Sequence, residues 1–203
     1  MRRKFKYWIA KAWLGALGWR VEGEVPAARK FVFIAAPHTS NWDLPFMLAT
    51  AYVLGVQISW MGKHTIFRWP FGWFMRALGG IAVDRRSPQN LVEQVAARFA
   101  KADALILAVP PEGTRKKVVY WKSGFYQIAR AAQVPVAMGF LDFSRKVAGL
   151  GPLLHTTGDV HADMDQVRAF YRDLRGKRPA LESTPRLREE DAAVSAKPAV
   201  SAR

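Results

Sequence analysis

Apolar positions along the chain recur with two different periods, and the switches between them divide it into alternating elements. In the first twenty residues, MRRKFKYWIAKAWLGALGWR, Phe5, Trp8, Ile9, Ala12, Trp13, Ala16 and Leu17 fall at helical spacing, which predicts an amphipathic helix. Residues 30–36, KFVFIAA, form a short apolar run ended by Pro37, the pattern of a buried strand. A helix is predicted from about Trp42 to Leu54 and a second strand over 57–61. Residues 81–83 read as another short strand, and Ser87 followed by Pro88 as a helix start, a capping residue with proline at the first helical position. Leu91, Val92, Val95, Ala96 and Phe99 then share one apolar face. The run ALILAVP, 104–110, is the strongest buried-strand pattern in the chain; a helix over 123–132 and a strand over 134–143 follow. A last helix is expected to begin near Asp163, with Arg172, Arg175, Lys177 and Arg178 near its end, where the helix dipole favours positive charge.

Strands alternating with helices predict an α/β layer fold with a largely parallel, buried central sheet. One stretch fits neither period: in HTIFRWPFGWFMRALGG, aromatics at 67, 69, 71, 73 and 74 surround Pro70. It reads as ordinary core or as a surface facing a membrane or an acyl chain. After Leu181 aromatics cease and Ala, Ser, Pro and Val dominate, the composition of a flexible tail. The expected organisation is a basic amphipathic helix over 1–20, one domain over 21–181 and a tail over 182–203.

Composition narrows the chemistry. A chain of 203 residues accommodates one domain of roughly 100–200 residues with a real core. With no cysteine, disulfides, thiolate nucleophiles and Cys-based zinc sites are excluded. The 31 Lys and Arg against 16 Asp and Glu call for a polyanionic partner: nucleic acid, an anionic bilayer or a phosphorylated substrate. The last 22 residues hold four basic and four acidic side chains, so the whole excess of 15 belongs to residues 1–181. Eight Trp and 12 Phe accompany it, as at a membrane interface. The first twenty residues hold six basic and no acidic side chains. Their apolar run, interrupted by Lys11, falls far short of the roughly 20 residues a span requires and precedes no small-residue cleavage site. That helix is read either as interfacial, through Trp8, Trp13 and Trp19, or as docked on its own core; a cytoplasmic chain is expected.

Three clusters carry candidate chemistry. After the first long strand comes PHTSNWD, with His38 and Asp43 five apart. A histidine acting as a base needs an acceptor on its other ring nitrogen, and a carboxylate in the next helix's first turn supplies one. Ser40 lies nearby but lacks the Gly-x-Ser-x-Gly elbow of a hydrolase nucleophile. After the strongest strand comes PPEGTR, 110–115, where Gly113 permits a tight turn and Thr114 and Arg115 can donate to phosphate oxygens. Basic residues continue at Lys116, Lys117 and Lys122; no Walker pattern is present. The third cluster is GGIAVDR, 79–85, where Arg85 either pairs with Asp84 or faces an anion.

In order and spacing these clusters resemble the glycerolipid acyltransferase family that contains 1-acylglycerol-3-phosphate acyltransferases. His38-Thr39-Ser40-Asn41-Trp42-Asp43 matches its His-x-x-x-x-Asp block, Gly80 to Arg85 its Gly-x-x-Phe/Val-x-Arg block, and Pro111-Glu112-Gly113-Thr114-Arg115 its Pro-Glu-Gly-Thr-Arg block. Val134-Pro135-Val136 matches its final Val/Ile-Pro block. Pro110, where a hydrophobic residue is common, and Lys116, where Ser is frequent, depart from the pattern.

The resemblance implies transfer of a fatty acyl group from acyl-CoA or acyl-acyl-carrier protein to the free hydroxyl of a lysophospholipid. The acceptor it favours is 1-acylglycerol-3-phosphate, with another lysolipid, such as a lyso-aminolipid, as the alternative. It implies His38 and Asp43 as the catalytic pair and Arg85, Glu112, Gly113, Thr114 and Arg115 as substrate-binding residues. Ser40, Asn41, Gly80, Pro111 and Pro135 are supporting. Beyond the acyl donor no cofactor and no metal are expected, and no nucleic acid. From the aromatic and basic pattern, the expected partner surface is an anionic membrane, contacted by Trp8, Trp13, Trp19, Phe67, Trp69, Phe71 and Trp73 at its cytoplasmic face. The reading of a different class is a basic membrane-surface or nucleic-acid-binding module without catalysis.

Overall fold

The computed structural model describes residues 2–83 and 88–195. Among them, seven strands form one sheet in the order β1-β7-β6-β2-β5-β3-β4: β1 (Arg20–Glu22), β2 (Lys30–Ala36), β3 (Ile58–Lys63), β4 (Gly80–Val83), β5 (Leu105–Val109), β6 (Val136–Asp142) and β7 (Val147–Leu154). The helices are α1 (Arg2–Ala16), α2 (Asp43–Leu54), α3 (Gly72–Ala77), α4 (Pro88–Lys101), α5 (Gly124–Ala132), α6 (Val160–Tyr171) and α7 (Arg188–Ser195). Strands β6, β2, β5, β3 and β4 run parallel, as the alternation predicts, and β7 pairs antiparallel with β6.

Connection handedness distributes the helices. The chain moves from β2 by way of α2 toward β3, then returns through α4 to β5 and through α5 to β6. Right-handed crossovers in opposite directions place their helices on opposite faces. Accordingly, Val32, Ile34, Leu107 and Val109 pack on α4, α5 and α6 residues such as Phe99, Phe125 and Met164. On the other face Phe31, Phe33 and Ala108 meet Met47 and Leu54 of α2. The alternation along β2 is the strand period read over a sheet covered on both sides.

Three findings depart from the sequence reading. First, β1 and β7 have no counterpart in it: β1 is three residues long, and β7 carries Gly149, Gly151 and Pro152, which weaken a strand signal. A turn held by Asp142, whose carboxylate accepts from the Ser144 and Arg145 N–H groups, folds β7 back onto β6. Second, the segment expected to be a tail from 182 is built into the domain as far as the described residues reach. Leu187 is fully buried in the main core and α7 follows it, so one apolar side chain in a polar segment anchors what composition reads as a tail. Residues 196–203 lie outside the described residues.

Third, α1 docks through a different stripe from the predicted one. Ala10 and Leu14 are buried, and Trp13 stacks on Phe46 of α2 at 4.8 Å. Phe5, Trp8, Ile9 and Leu17 remain exposed, so the helix has one face on the core and a second apolar face without protein cover. Of the aromatics assigned to a membrane, Trp19 and Phe67 are interior instead. Trp19 packs on Phe46 and Phe143, and Phe67 closes the sheet edge beside Trp60. By contrast, Trp69 is 92% exposed, and Phe71, Trp73 and Phe74 stand out beside it. No described helix is long and apolar enough to cross a membrane.

Candidate active site

β2 and β5 are adjacent and parallel, with Ile34 opposite Val109, so the loops leaving their C-terminal ends lie side by side. That crevice is where open α/β sheets place ligands. It brings together His38 and Glu112, 74 residues apart in sequence: the His38 N–H donates to Glu112 Oε1 at 3.0 Å.

The loop between β2 and α2 is organised by one oxygen. Asp43 Oδ2 accepts from the N–H groups of Thr39 (2.8 Å) and Ser40 (2.9 Å) and lies 3.0 Å from His38 Nδ1. Asp43, the first residue of α2, satisfies donors that a loop cut off from water would otherwise leave unpaired. Its Oδ1 is buried without a hydrogen-bond partner among the described residues. His38 keeps 26% of its side-chain surface exposed against 8% for Asp43, so the imidazole edge beyond Nδ1 is accessible. The Ser40 hydroxyl accepts from the Trp42 N–H, a turn contact. Thr39 Oγ1 accepts from the Arg178 N–H, so the segment after α6 braces the same loop.

Glu112 is 3% exposed and does not line the cavity, so it sits behind the His38 backbone rather than on the cavity surface where the resemblance implies it. Its Oε2 is buried without a hydrogen-bond partner among the described residues. Burial raises the Glu112 carboxyl above the ordinary glutamate range, outweighing the N–H groups of His38 and Glu112 that pull it down. Tyr171 is pushed well up by burial and by its proximity to Glu112, and its hydroxyl donates to Gly139 O.

Gly113 has φ +64, the left-handed region, and a Cβ there would meet Lys122 Cε at 2.8 Å. The turn thus favours glycine for its backbone, while the end of the Lys122 side chain lies over it. A cavity of about 1430 Å³ opens here, lined by His38, Ser40, Asn41, Asp43, Pro111, Gly113, Thr114, Arg115 and Lys122. It continues along the α2 face of the sheet past Phe33, Met47, Leu54, Trp60, Ile106 and Ala108, giving a polar, basic mouth and an apolar wall.

Two supporting residues fall elsewhere. Pro135 receives the Val32 N–H on its carbonyl where β6 begins. Gly80 lets β4 approach Phe67, whose ring a Cβ would meet at 2.6 Å. Both hold the sheet. Arg85 lies outside the described residues. Lys122, noted in sequence only as a basic residue, joins the site because its N–H donates to Pro111 O at 2.8 Å and folds the loop back. No group of three or more His, Asp or Glu among the described residues is placed to hold a metal ion.

The model of the family described as Acyltransferase matches residues 19–138, a stretch that contains every block of the cavity mouth. Among curated proteins there is no match. Among solved structures, the chain is similar to the 1-acyl-sn-glycerophosphate (LPA) acyltransferase PlsC from Thermotoga maritima. The TM-score is 0.60 and identity 18%, with 86% of this chain and 81% of that chain covered; this is a likeness of fold. The reading as a module without catalysis falls with the family match, which spans more than half of the chain: it belongs to the acyltransferase family and is an acyltransferase enzyme.

Proposed function

We propose that the enzyme transfers a fatty acyl group from a thioester, acyl-CoA or acyl-acyl-carrier protein, to the hydroxyl of a lysophospholipid, with 1-acylglycerol-3-phosphate as acceptor. The observation that carries this is the His38–Asp43 pair at the mouth of one cavity that has a basic rim and an apolar wall. With two backbone N–H groups already on Asp43 Oδ2, the carboxylate takes its third donor from His38 Nδ1–H. Nε2 then remains an acceptor, the form a general base requires.

In this mechanism Nε2 removes the proton of the acceptor hydroxyl as its oxygen attacks the thioester carbonyl. The tetrahedral intermediate collapses with cleavage of the C–S bond, and the imidazolium returns the proton to the departing thiolate. Asp43 stabilises the imidazolium meanwhile. Glu112 holds the His38 backbone from behind, a positioning residue. Arg115 and Lys122 at the rim favour a phosphate-bearing acceptor over a lyso-aminolipid, and Phe33, Met47 and Leu54 suit an acyl chain.

The work takes place at an anionic membrane surface, on the cytoplasmic side where acyl-CoA and acyl carrier protein are available. Support comes from the exposed Phe5, Trp8 and Ile9 of α1 and the Trp69, Phe71 and Trp73 knuckle, each beside basic residues. The test is release of free thiol when purified enzyme meets acyl-CoA and lysophosphatidic acid, with His38→Ala as control. Thiol release that requires the acceptor and is abolished by His38→Ala is expected; unchanged release by the variant would refute the base.

A further inference from the structure

The segment after Leu181 packs beside the cavity, and Arg188 and Glu189 line it. Its backbone joins the loop that follows β5: the Trp121 N–H donates to Arg186 O at 2.7 Å and the Val118 N–H to Ser183 Oγ at 2.9 Å. Leu187 plugs into the main core. At the start of α7, Glu190 accepts from the Leu187 N–H through Oε1 (2.6 Å) and from Arg168 Nη1 of α6 through Oε2 (2.7 Å). The first contact is half of a capping box, and the second ties α7 to α6.

This anchored segment presents Arg188 and Glu189 to the same cavity that His38, Thr114, Arg115 and Lys122 line. The Arg188 guanidinium lies 5.6 Å from the centroid of the Tyr120 ring. Tyr120 is itself fixed, its hydroxyl donating to Asp191 Oδ2 at 2.5 Å, while Asp191 also accepts from Arg186. Stacking on a held aromatic pre-orders an arginine and lowers the entropy lost when it binds a ligand.

Building on the acyl-transfer reading, we infer that Arg188 is a further phosphate-binding residue of the site, completing with Arg115 and Lys122 a basic rim around a phosphate of a bound substrate. A phosphomonoester carries between one and two negative charges at neutral pH and three strong acceptor oxygens, and a planar guanidinium engages two of them at once. Against these three cations, the carboxylates lining the cavity are Glu189 and Asp43, and Asp43 is occupied by His38. Arg188 lies beyond residues 19–138, so it tunes this chain apart from the stretch that the family match covers.

The test compares wild type with Arg188→Gln and Arg188→Lys in KM for lysophosphatidic acid, KM for acyl-CoA, and calorimetric binding of glycerol 3-phosphate. Arg188 is exposed, so both variants are expected to melt like wild type. The expected result for Arg188→Gln is a KM for lysophosphatidic acid raised about tenfold, with kcat within twofold. Binding of glycerol 3-phosphate weakens in parallel, and Arg188→Lys restores part of both. A rise confined to KM for acyl-CoA assigns the bound phosphate to the donor. Unchanged values for both substrates and for glycerol 3-phosphate overturn the role of Arg188 and leave the acyl-transfer reading standing. Wild type that binds glycerol 3-phosphate through Arg188 yet transfers no acyl group overturns that reading and keeps the anion site.

Discussion

Asp43→Asn separates the orientation of a base from the stability of a loop. Asp43 Oδ2 gathers the N–H groups of Thr39 and Ser40 and His38 Nδ1 within 3.0 Å, and the side chain is buried. Asparagine fills the same space with a neutral oxygen and an N–H donor pair. Its oxygen still accepts from the two backbone groups, so the loop holds, but the imidazole loses its charged acceptor. When the amide nitrogen faces Nδ1 the tautomer reverses, and Nε2 carries a proton where it must accept one.

The two consequences differ in size. Losing one hydrogen bond to a charged group costs about 1.5–3 kcal/mol of stability, a melting shift of roughly 4–10 °C for a chain of this length. Losing an oriented base costs about 100- to 10,000-fold in rate, equivalent to roughly 3–5.5 kcal/mol. For unfolding alone to reduce the rate a thousandfold, the variant would have to lose its entire stability of about 5–15 kcal/mol and some 4 more. Thiol release from acyl-CoA in the presence of lysophosphatidic acid, with a thermal melt on the same preparation, reads both. The expected result is a collapse of kcat with KM values within threefold and a folded melt. A variant that keeps more than a third of wild-type kcat would show that Asp43 orients no base.

Glu112→Gln keeps an acceptor for the His38 N–H but cannot ionise. Because burial raises the native Glu112 carboxyl, its contribution to wild-type stability is full below the ordinary glutamate value of 4.5 and is lost as pH rises toward the raised native value. Denaturant midpoints should therefore shift in favour of the variant as pH climbs from about 4 to 7, with His38, Asp43 and Tyr171 the titratable neighbours; a constant difference would disprove the coupling. Leu187→Ala, at a fully buried position, is expected to cost about 2–5 kcal/mol and lower the melting temperature by roughly 5–15 °C, whereas a truly flexible tail would show no change. Co-sedimentation with anionic liposomes should fall in Trp69→Ser/Trp73→Ser protein and weaken with added salt; binding insensitive to both would remove the knuckle from the membrane surface.

Most of the parallel sheet was legible because its strands are buried on both faces and so appear as unbroken apolar runs. Residues 30–36 and 105–109 lie within the predicted spans. β7 was not legible, since its glycines and Pro152 read as loop until β6 provides a partner. The His38 and Asp43 pairing was legible because it is local, five residues across a strand-to-helix loop. The placement of Glu112 was not: the family resemblance implies a substrate contact, and only the neighbouring ends of β2 and β5 set it behind His38.

By itself, then, the sequence determined the alternation of elements, the excess positive charge and the blocks that carry chemistry, all of which depend on neighbours a few residues apart. Only the tertiary structure decided which aromatics face outward, taking Trp19 and Phe67 inside and leaving Trp69 and Trp73 exposed. It alone brought Arg188 and Glu189 to the cavity that His38 lines. Periodicity says that a residue is apolar or charged and which face of its own element it occupies. What that face meets is settled by chain crossings between elements far apart in sequence, and no local pattern records those.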